Sequence, residues 1–109
     1  MGKLEYLQQG DVLFTKCKEL PKTTKINRSP VIQLGEATGH AHRYEGNARI
    51  HEVRNWNNTI LVDRYLEVRK PVWIKHEEHK PLRLLKGVYR IGIVQEYDHF
   101  AKVTRIVRD

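Results

Sequence analysis

Residues 82–97, LRLLKGVYRIGIVQEY, contain two runs of apolar and β-branched residues separated by Gly87. We predict strands at Leu82–Leu85 and at Val88–Tyr97, the longest strand candidate of the chain. Similar runs recur along the chain at spacings of about ten residues, between Gly, Pro and Asn clusters, a pattern typical of a β sandwich or barrel. Helical periodicity is nearly absent. The sequence therefore predicts an all-β fold, a small barrel or sandwich of about eight short antiparallel strands.

The other predicted strands and two polar loops follow from the same pattern. Pro71 cannot donate to a strand ladder, so the strand after it begins at a sheet edge or just after a break. Loops are predicted for Lys22–Arg28 and for residues 76–81, HEEHKP. The remaining strands are predicted at Asp11–Lys18, Val31–Leu34, His40–Glu45, Ala48–Val53, Ile60–Val62, Tyr65–Val68, Val72–Lys75 and Val103–Val107.

Length and composition predict one domain over residues 1–109. A chain of this size buries roughly 60 to 70% of its unfolded surface, enough for a single core. The only cysteine, Cys17, excludes an internal disulfide and is predicted to be half-buried in a strand. No apolar run reaches the roughly 20 residues of a membrane span, and the N-terminal MGKLEYLQQGDVLF lacks the apolar region of a signal peptide. We expect a cytoplasmic protein without a membrane partner.

The charge is positive and unevenly distributed. Lys and Arg number 20 against 13 Asp and Glu, a net charge of +7. Much of the excess lies within residues 64–90, where Tyr65, Trp73 and Tyr89 alternate with basic residues. Cations for phosphates and rings for bases predict RNA or DNA binding, and a solvated surface is the alternative. We call the following set the basic strip: Arg64, Arg69, Lys70, Lys75, Lys80, Arg83, Lys86 and Arg90.

The most informative segment for chemistry is residues 35–45, GEATGHAHRYE. In a strand, residues i and i+2 point to the same face with their Cα atoms about 6.5 Å apart. His40 and His42 can therefore direct their imidazole nitrogens at one ion. No phosphate-binding loop follows from the glycines here, because GEATGH has neither the Walker nor the Rossmann spacing.

A second cluster occupies residues 76–79, HEEH. Its histidines are spaced i, i+3, unlike the i, i+4 pair of helical zinc proteases. In an extended loop, His76 pairs with Glu78 on one side and Glu77 pairs with His79 on the other. Three nitrogens and one carboxylate, with a position left for water, describe a catalytic zinc, manganese or iron site.

If the two clusters meet, the sequence predicts a metal-dependent hydrolase. A divalent metal lowers the pKa of bound water, and the basic charge favours a phosphodiester substrate in nucleic acid or a nucleotide. The first ligands are predicted to be His40, His42 and His79, and Glu77 or Glu78 is the fourth ligand or the general base. In full, the predicted metal ligands are His40, His42, His76 and His79, the catalytic residues Glu77, Glu78 and Arg43, and the substrate-binding residues Arg90, Lys80 and Tyr97.

Two alternatives use the same residues differently. Two histidines acting as acid and base, with Arg43, Lys80 or Arg90 stabilising a phosphorane, describe a metal-free ribonuclease. A non-enzymatic basic β module would bind nucleic acid or a protein, with its histidines in hydrogen bonds or in a closed structural metal site. His51 and His99 lack such neighbours and are predicted to lie on the surface. Edge strands make a homodimer a further expectation.

Three segments, QQGDVLF, LGEATGHAHRYE and HEEHKPLRLLKGVYRIGIVQEYD, resemble a family of small uncharacterised bacterial and phage-borne proteins. The resemblance covers most of the chain and implies a phage or mobile-element origin. The HAH segment also resembles in part the first metal motif of cupins. Gly35 is one residue closer to His40 than that motif has it, and Glu45 comes earlier after His42. Through this second resemblance His40, His42 and Glu45 would be metal ligands.

Overall fold

The computed structural model describes residues 6–35 and 39–94. Within these ranges the chain forms ten strands and no helix. The strands are β1 (Tyr6–Gln9), β2 (Val12–Cys17), β3 (Lys25–Asn27), β4 (Val31–Leu34), β5 (Ala41–Glu45), β6 (Ala48–Arg54), β7 (Leu61–Val68), β8 (Val72–Lys75), β9 (Leu82–Leu84) and β10 (Gly87–Ile93). The predicted all-β class is therefore confirmed.

The strands form two antiparallel sheets rather than a closed barrel. One sheet has six strands in the order β1-β2-β10-β7-β6-β3, and the other has four in the order β4-β5-β8-β9. Both sheets contribute to one hydrophobic core, in which Phe14 and Leu66 come from the larger sheet and Ile32 and Ile74 from the smaller. Burial alternates along β2, where Val12 and Phe14 are fully buried, because successive side chains of a strand point to opposite faces.

Three details differ from the sequence prediction. The loop predicted at Lys22–Arg28 contains β3, a short polar strand whose Ile26 is in register with His51 of β6. This strand pairs with β6 through backbone hydrogen bonds and has no buried apolar face. The sequence therefore shows no alternation of apolar and polar residues from which β3 could be predicted. The strand β1 was not predicted, and the two strands predicted on either side of Asp63 are one strand, β7. The prediction for Pro71 is confirmed, since β8 begins at the next residue.

Several predictions fall on residues outside the described ranges. These are the strand Val103–Val107, the end of the strand predicted at Val88–Tyr97, and the side chains of His99 and Tyr97. Within the described ranges, the structure has no helix of the length and apolar character needed to cross a membrane.

The prediction that His51 lies on the surface is wrong. Its side chain is buried, with 7% of its surface exposed. Its Nδ1 lies 2.8 Å from the Thr24 hydroxyl, and its Nε2 lies 2.9 Å from Glu67 Oε1. Glu67 is directly across the sheet from Arg49 on β6, so partners from the neighbouring strand and from the segment before β3 enclose the ring. These contacts are long-range, and sequence spacing does not show them.

The hydrogen bond from His51 lowers the pKa of Glu67 below its ordinary value of 4.5. A lowered pKa in the folded state means that this carboxylate stabilises the fold above about pH 4.5, and that the contribution is lost as the pH falls through the folded-state pKa. We expect Glu67→Gln to reduce the free energy of unfolding by about 1 kcal/mol at pH 7, with the difference shrinking at pH 3. Urea unfolding of both proteins at the two pH values measures this. A difference that does not change with pH would contradict the assignment.

Candidate metal centre

Three segments that are distant in sequence meet at one end of the two sheets. They are the β1–β2 turn, the beginning of β5 with the residue before it, and the loop between β8 and β9. The loop is the HEEH segment, which is irregular as predicted. The two histidine clusters therefore lie together: the His40 ring centroid is 5.6 Å from that of His76, and the His42 centroid is 4.4 Å from it.

Three of these histidines have the arrangement of metal ligands. His42, His76 and His79 each offer one nitrogen, and the three nitrogens lie within 4.8 Å of one another. The ring of His79 lies 5.7 Å from that of His42 and 4.5 Å from that of His76, between centroids. Three imidazoles are a ligand set that zinc and other divalent transition metals accept.

Gln9, at the end of β1, fixes the orientation and protonation of His42. Both side chains are buried. The Gln9 amide nitrogen donates to the carbonyl oxygens of Ile74 at 2.9 Å and Lys80 at 2.8 Å. Gln9 Oε1 therefore faces His42 Nδ1, 2.8 Å away, and this nitrogen must be the donor. The neutral ring carries its proton on Nδ1 and presents an unprotonated Nε2, the form that binds a metal.

The surroundings favour neutral rings. Burial, followed by the proximity of His76, lowers the pKa of His42 to about 4. Burial and the neighbouring His79 also lower the pKa of His76. Imidazoles that are neutral at pH 7 have a lone pair for a metal without first losing a proton.

His76 is also held by its own loop. The backbone N–H of Glu78 donates to His76 Nδ1 at 3.0 Å, so the neutral ring carries its proton on Nε2. Binding of a metal through His76 therefore requires this hydrogen bond to open.

The β1–β2 turn contributes to the centre, and the sequence prediction did not include it. Asp11 Oδ1 lies 3.4 Å from His42 Nε2. Gly10 has φ +58°, and a Cβ at this position would lie 2.5 Å from His79 Nε2. A side chain here would thus be disfavoured by the backbone and would displace the histidine. The segment QQGDVLF showed no recognisable ligand spacing, since its carboxylate is 31 residues before His42.

His40, predicted as a first ligand, lies beside the three histidines and outside their ligand group. It is partly exposed, and its Nδ1 is 3.6 Å from Glu78 Oε2.

Glu77 and Arg43 connect the loop to β5. Arg43 donates to Glu77 Oε2 at 2.7 Å, and the backbone N–H of Ala41 donates to Glu77 Oε1 at 2.9 Å. The Arg43 guanidinium, with the Ala41 N–H, lowers the pKa of Glu77 to about 2. Such a carboxylate accepts a proton poorly at neutral pH. The contacts favour a structural role for this pair over the predicted catalytic one.

A groove of ≈ 530 Å³ opens beside His79, between residues 8–10 and 78–82. The predicted substrate-binding residue Lys80 lines it together with Glu78, Pro81 and Leu82. The groove therefore offers a cation and apolar surface next to the histidines.

Most other members of the basic strip contact residues away from the histidines. Arg64 is half-buried and donates to Ile32 O at 2.6 Å. Arg90 forms an ion pair with Asp63 at 3.0 Å on the outer face of the six-stranded sheet, because its neighbours Tyr89 and Ile91 point into the core. Arg90 is thus not brought to the histidines. Two further pairs join Arg69 to Glu67 and Lys75 to Glu45.

The three aromatic residues that alternate with the basic strip have different environments. Tyr89 is buried in the core and donates to Leu85 O at 2.8 Å, so its ring is not a surface for bases. Trp73 is 41% exposed, and the Arg83 guanidinium lies 4.8 Å from its ring centroid. Tyr65 is half-buried on β7.

A small two-sheet β domain with clustered histidines is the class that these observations define. The chain belongs to the family described as "Domain of unknown function (DUF8820)", whose model matches residues 8–94. This agrees with the expected membership of an uncharacterised family. No match was found among curated proteins or among solved structures.

Proposed function

We propose that this protein binds one divalent transition metal through His42, His76 and His79 and hydrolyses a phosphodiester of nucleic acid or of a nucleotide. The observation that carries the proposal is the convergence of three imidazole nitrogens within 4.8 Å of one another. The hydrogen bond from His42 to Gln9 supports it, because the bond leaves a lone pair on Nε2. Zinc, manganese and iron are the candidate metals.

The surroundings of the three histidines support hydrolysis. A bound divalent metal would lower the pKa of water toward 7 and polarise a phosphoryl oxygen. Glu78 Oε2 lies 3.6 Å from His40 Nδ1, and in this proposal Glu78 takes the proton from water. Lys80 lines the adjacent groove, where its ammonium group would attract the anionic substrate.

A non-enzymatic nucleic-acid module is the second candidate. Trp73 beneath Arg83 and the 93% exposed Trp56 at the tip of the β6–β7 hairpin support it, because exposed rings stack on bases. The ion pairs of Arg69, Lys75 and Arg90 weaken it, because those cations are already partly neutralised. The phage origin and the homodimer expected from the sequence stay predictions.

The deciding experiment combines metal analysis with hydrolysis of bis(p-nitrophenyl) phosphate and of short RNA and DNA oligonucleotides. Untagged protein is reconstituted with zinc, manganese or iron(II) and assayed with and without excess chelator. We expect near-stoichiometric metal and hydrolysis that chelator abolishes. Cleavage of RNA but not DNA in chelator would instead establish the metal-free ribonuclease. Bound metal without hydrolysis of any substrate would indicate a structural centre.

A further inference from the structure

We propose that Asp11, from the β1–β2 turn, is the carboxylate ligand of the metal centre, so that the complete ligand set is Asp11, His42, His76 and His79. This inference rests on the proposed function. It replaces the two glutamates of the HEEH loop, which the sequence favoured as the source of the oxygen ligand, by a residue about 65 positions earlier in the chain.

Asp11 and His42 face each other through two hydrogen-bond acceptor atoms. The His42 ring donates from Nδ1 to Gln9, so Nε2 presents a lone pair. Asp11 Oδ1 faces this atom at 3.4 Å. A lone pair and a carboxylate oxygen repel each other unless a proton or a metal ion lies between them. The contact at 3.4 Å fits two ligands that face a common metal ion.

The separation of the two atoms also fits. Ligand atoms about 2.1 Å from one metal ion, at angles of about 90 to 120°, lie about 3.0 to 3.6 Å apart. The observed distance of 3.4 Å from His42 Nε2 to Asp11 Oδ1 falls within this range. The Asp11 oxygens are not within 4.8 Å of all three histidine nitrogens, so coordination requires a rotation of this side chain, 57% of whose surface is exposed.

Both carboxylates of the HEEH loop, Glu77 and Glu78, already contact other residues. Glu77 binds the Arg43 guanidinium and the Ala41 N–H, and releasing it would detach the loop from β5. Glu78 lies next to His40. Asp11, like the two glutamates, lies outside the group of three converging nitrogens, but its Oδ1 is 3.4 Å from the Nε2 of His42, a member of that group.

The β1–β2 turn packs closely against the histidines. Gln9 is anchored to Ile74 O and Lys80 O, on the far side of the centre. Gly10 brings the backbone so close to His79 that a Cβ would lie 2.5 Å from its Nε2. Asp11 follows directly. Its position beside the ligands is thus fixed by two neighbours before a metal binds, which is how precise metal sites are supported.

The proposed ligand set determines how many coordination positions remain for water and substrate. Three nitrogens and one oxygen fill a tetrahedral zinc site, whereas a five- or six-coordinate ion with the same ligands keeps one or two positions for water and substrate. Hydrolysis at this centre therefore requires the higher coordination number, which manganese and iron(II) adopt readily.

The test is a titration of the chelator-treated full chain with cobalt(II), whose visible absorption reports coordination number and donor type. We expect Asp11→Asn to weaken cobalt binding at least about 10-fold and to change the shape of the absorption bands. The matched control is Glu78→Gln, another exposed carboxylate beside a histidine, which should change the affinity by less than about twofold and leave the bands unchanged. Circular dichroism of the metal-free variants checks that both retain the fold.

The outcomes separate this inference from the proposed function. Unchanged affinity and bands in Asp11→Asn, with cobalt bound by the unsubstituted protein, would overturn the role of Asp11 and leave the three-histidine centre intact. The same loss in Glu78→Gln but not in Asp11→Asn would return the oxygen ligand to the loop. Absence of cobalt and zinc binding by the unsubstituted protein would overturn both proposals.

Discussion

His42→Asn is expected to weaken zinc binding at least about 100-fold. Loss of an outer hydrogen-bond partner of a metal ligand costs 10- to 100-fold in affinity, and loss of the ligand itself costs more. Asparagine is chosen because its amide nitrogen takes nearly the position of His42 Nδ1 and can still donate to Gln9 Oε1. The variant therefore removes Nε2 from the centre while keeping the buried hydrogen bond. Calorimetric titration of metal-free, untagged protein with zinc measures the change.

The matched control for this prediction is His40→Asn, two residues earlier on the same segment. His40 lies outside the group of three converging nitrogens, so its replacement should change zinc affinity by less than about threefold. Equal losses in the two variants would restore His40 to the ligand set, as the sequence predicted. An unchanged affinity in His42→Asn would remove the centre as described. Thermal unfolding in chelator shows whether either variant alters the fold itself.

The sequence was sufficient to predict the class of the fold. Alternating burial, as at Val12 and Phe14 on β2, follows directly from the period of two in a strand. The sequence was insufficient for β3, because a short polar strand is stabilised by its backbone ladder to β6. The arrangement in two sheets depends on which strands pair, as in β2 with β10, and that pairing is set by tertiary packing rather than by local pattern.

The candidate centre was also partly predictable from the period of two in a strand. The i, i+2 spacing of His40 and His42 placed both on one face, and both rings do lie near His76. The convergence of the two clusters was an expectation that spacing alone did not establish. Gln9, Gly10 and Asp11 were missed because their relation to the histidines is created by the fold. Nothing in the letters QGD marks a residue that packs against a loop about 70 positions later.

Gln9→Met is the substitution expected to affect both the metal centre and the fold most strongly among the residues that are not ligands. Methionine keeps the length of the side chain and removes its polar atoms. The carbonyl oxygens of Ile74 and Lys80 then lose their donor, and His42 Nδ1 loses its acceptor. Each unsatisfied buried polar group costs about 1 to 3 kcal/mol. The Lys80 oxygen is only partly buried and can accept from water, so two groups count in full. We expect the metal-free variant to lose about 2 to 6 kcal/mol of unfolding free energy, measured with urea.

Zinc affinity and the tautomer of His42 show whether Gln9 positions this histidine or only stabilises the fold. Without Gln9 Oε1, the proton of the neutral His42 ring is no longer held on Nδ1, and Nε2 becomes protonated in part of the molecules. We expect zinc affinity to fall about 10- to 100-fold and the nitrogen NMR shifts of His42 to move toward a mixture of tautomers. Gln8→Met is the matched control. Gln8 donates to Gly10 O at 3.0 Å rather than to a group that contacts His42, so this variant should leave those shifts unchanged. A Gln9→Met protein that is less stable, yet keeps a single His42 tautomer and full zinc affinity, would reduce Gln9 to a structural link between the two sheets.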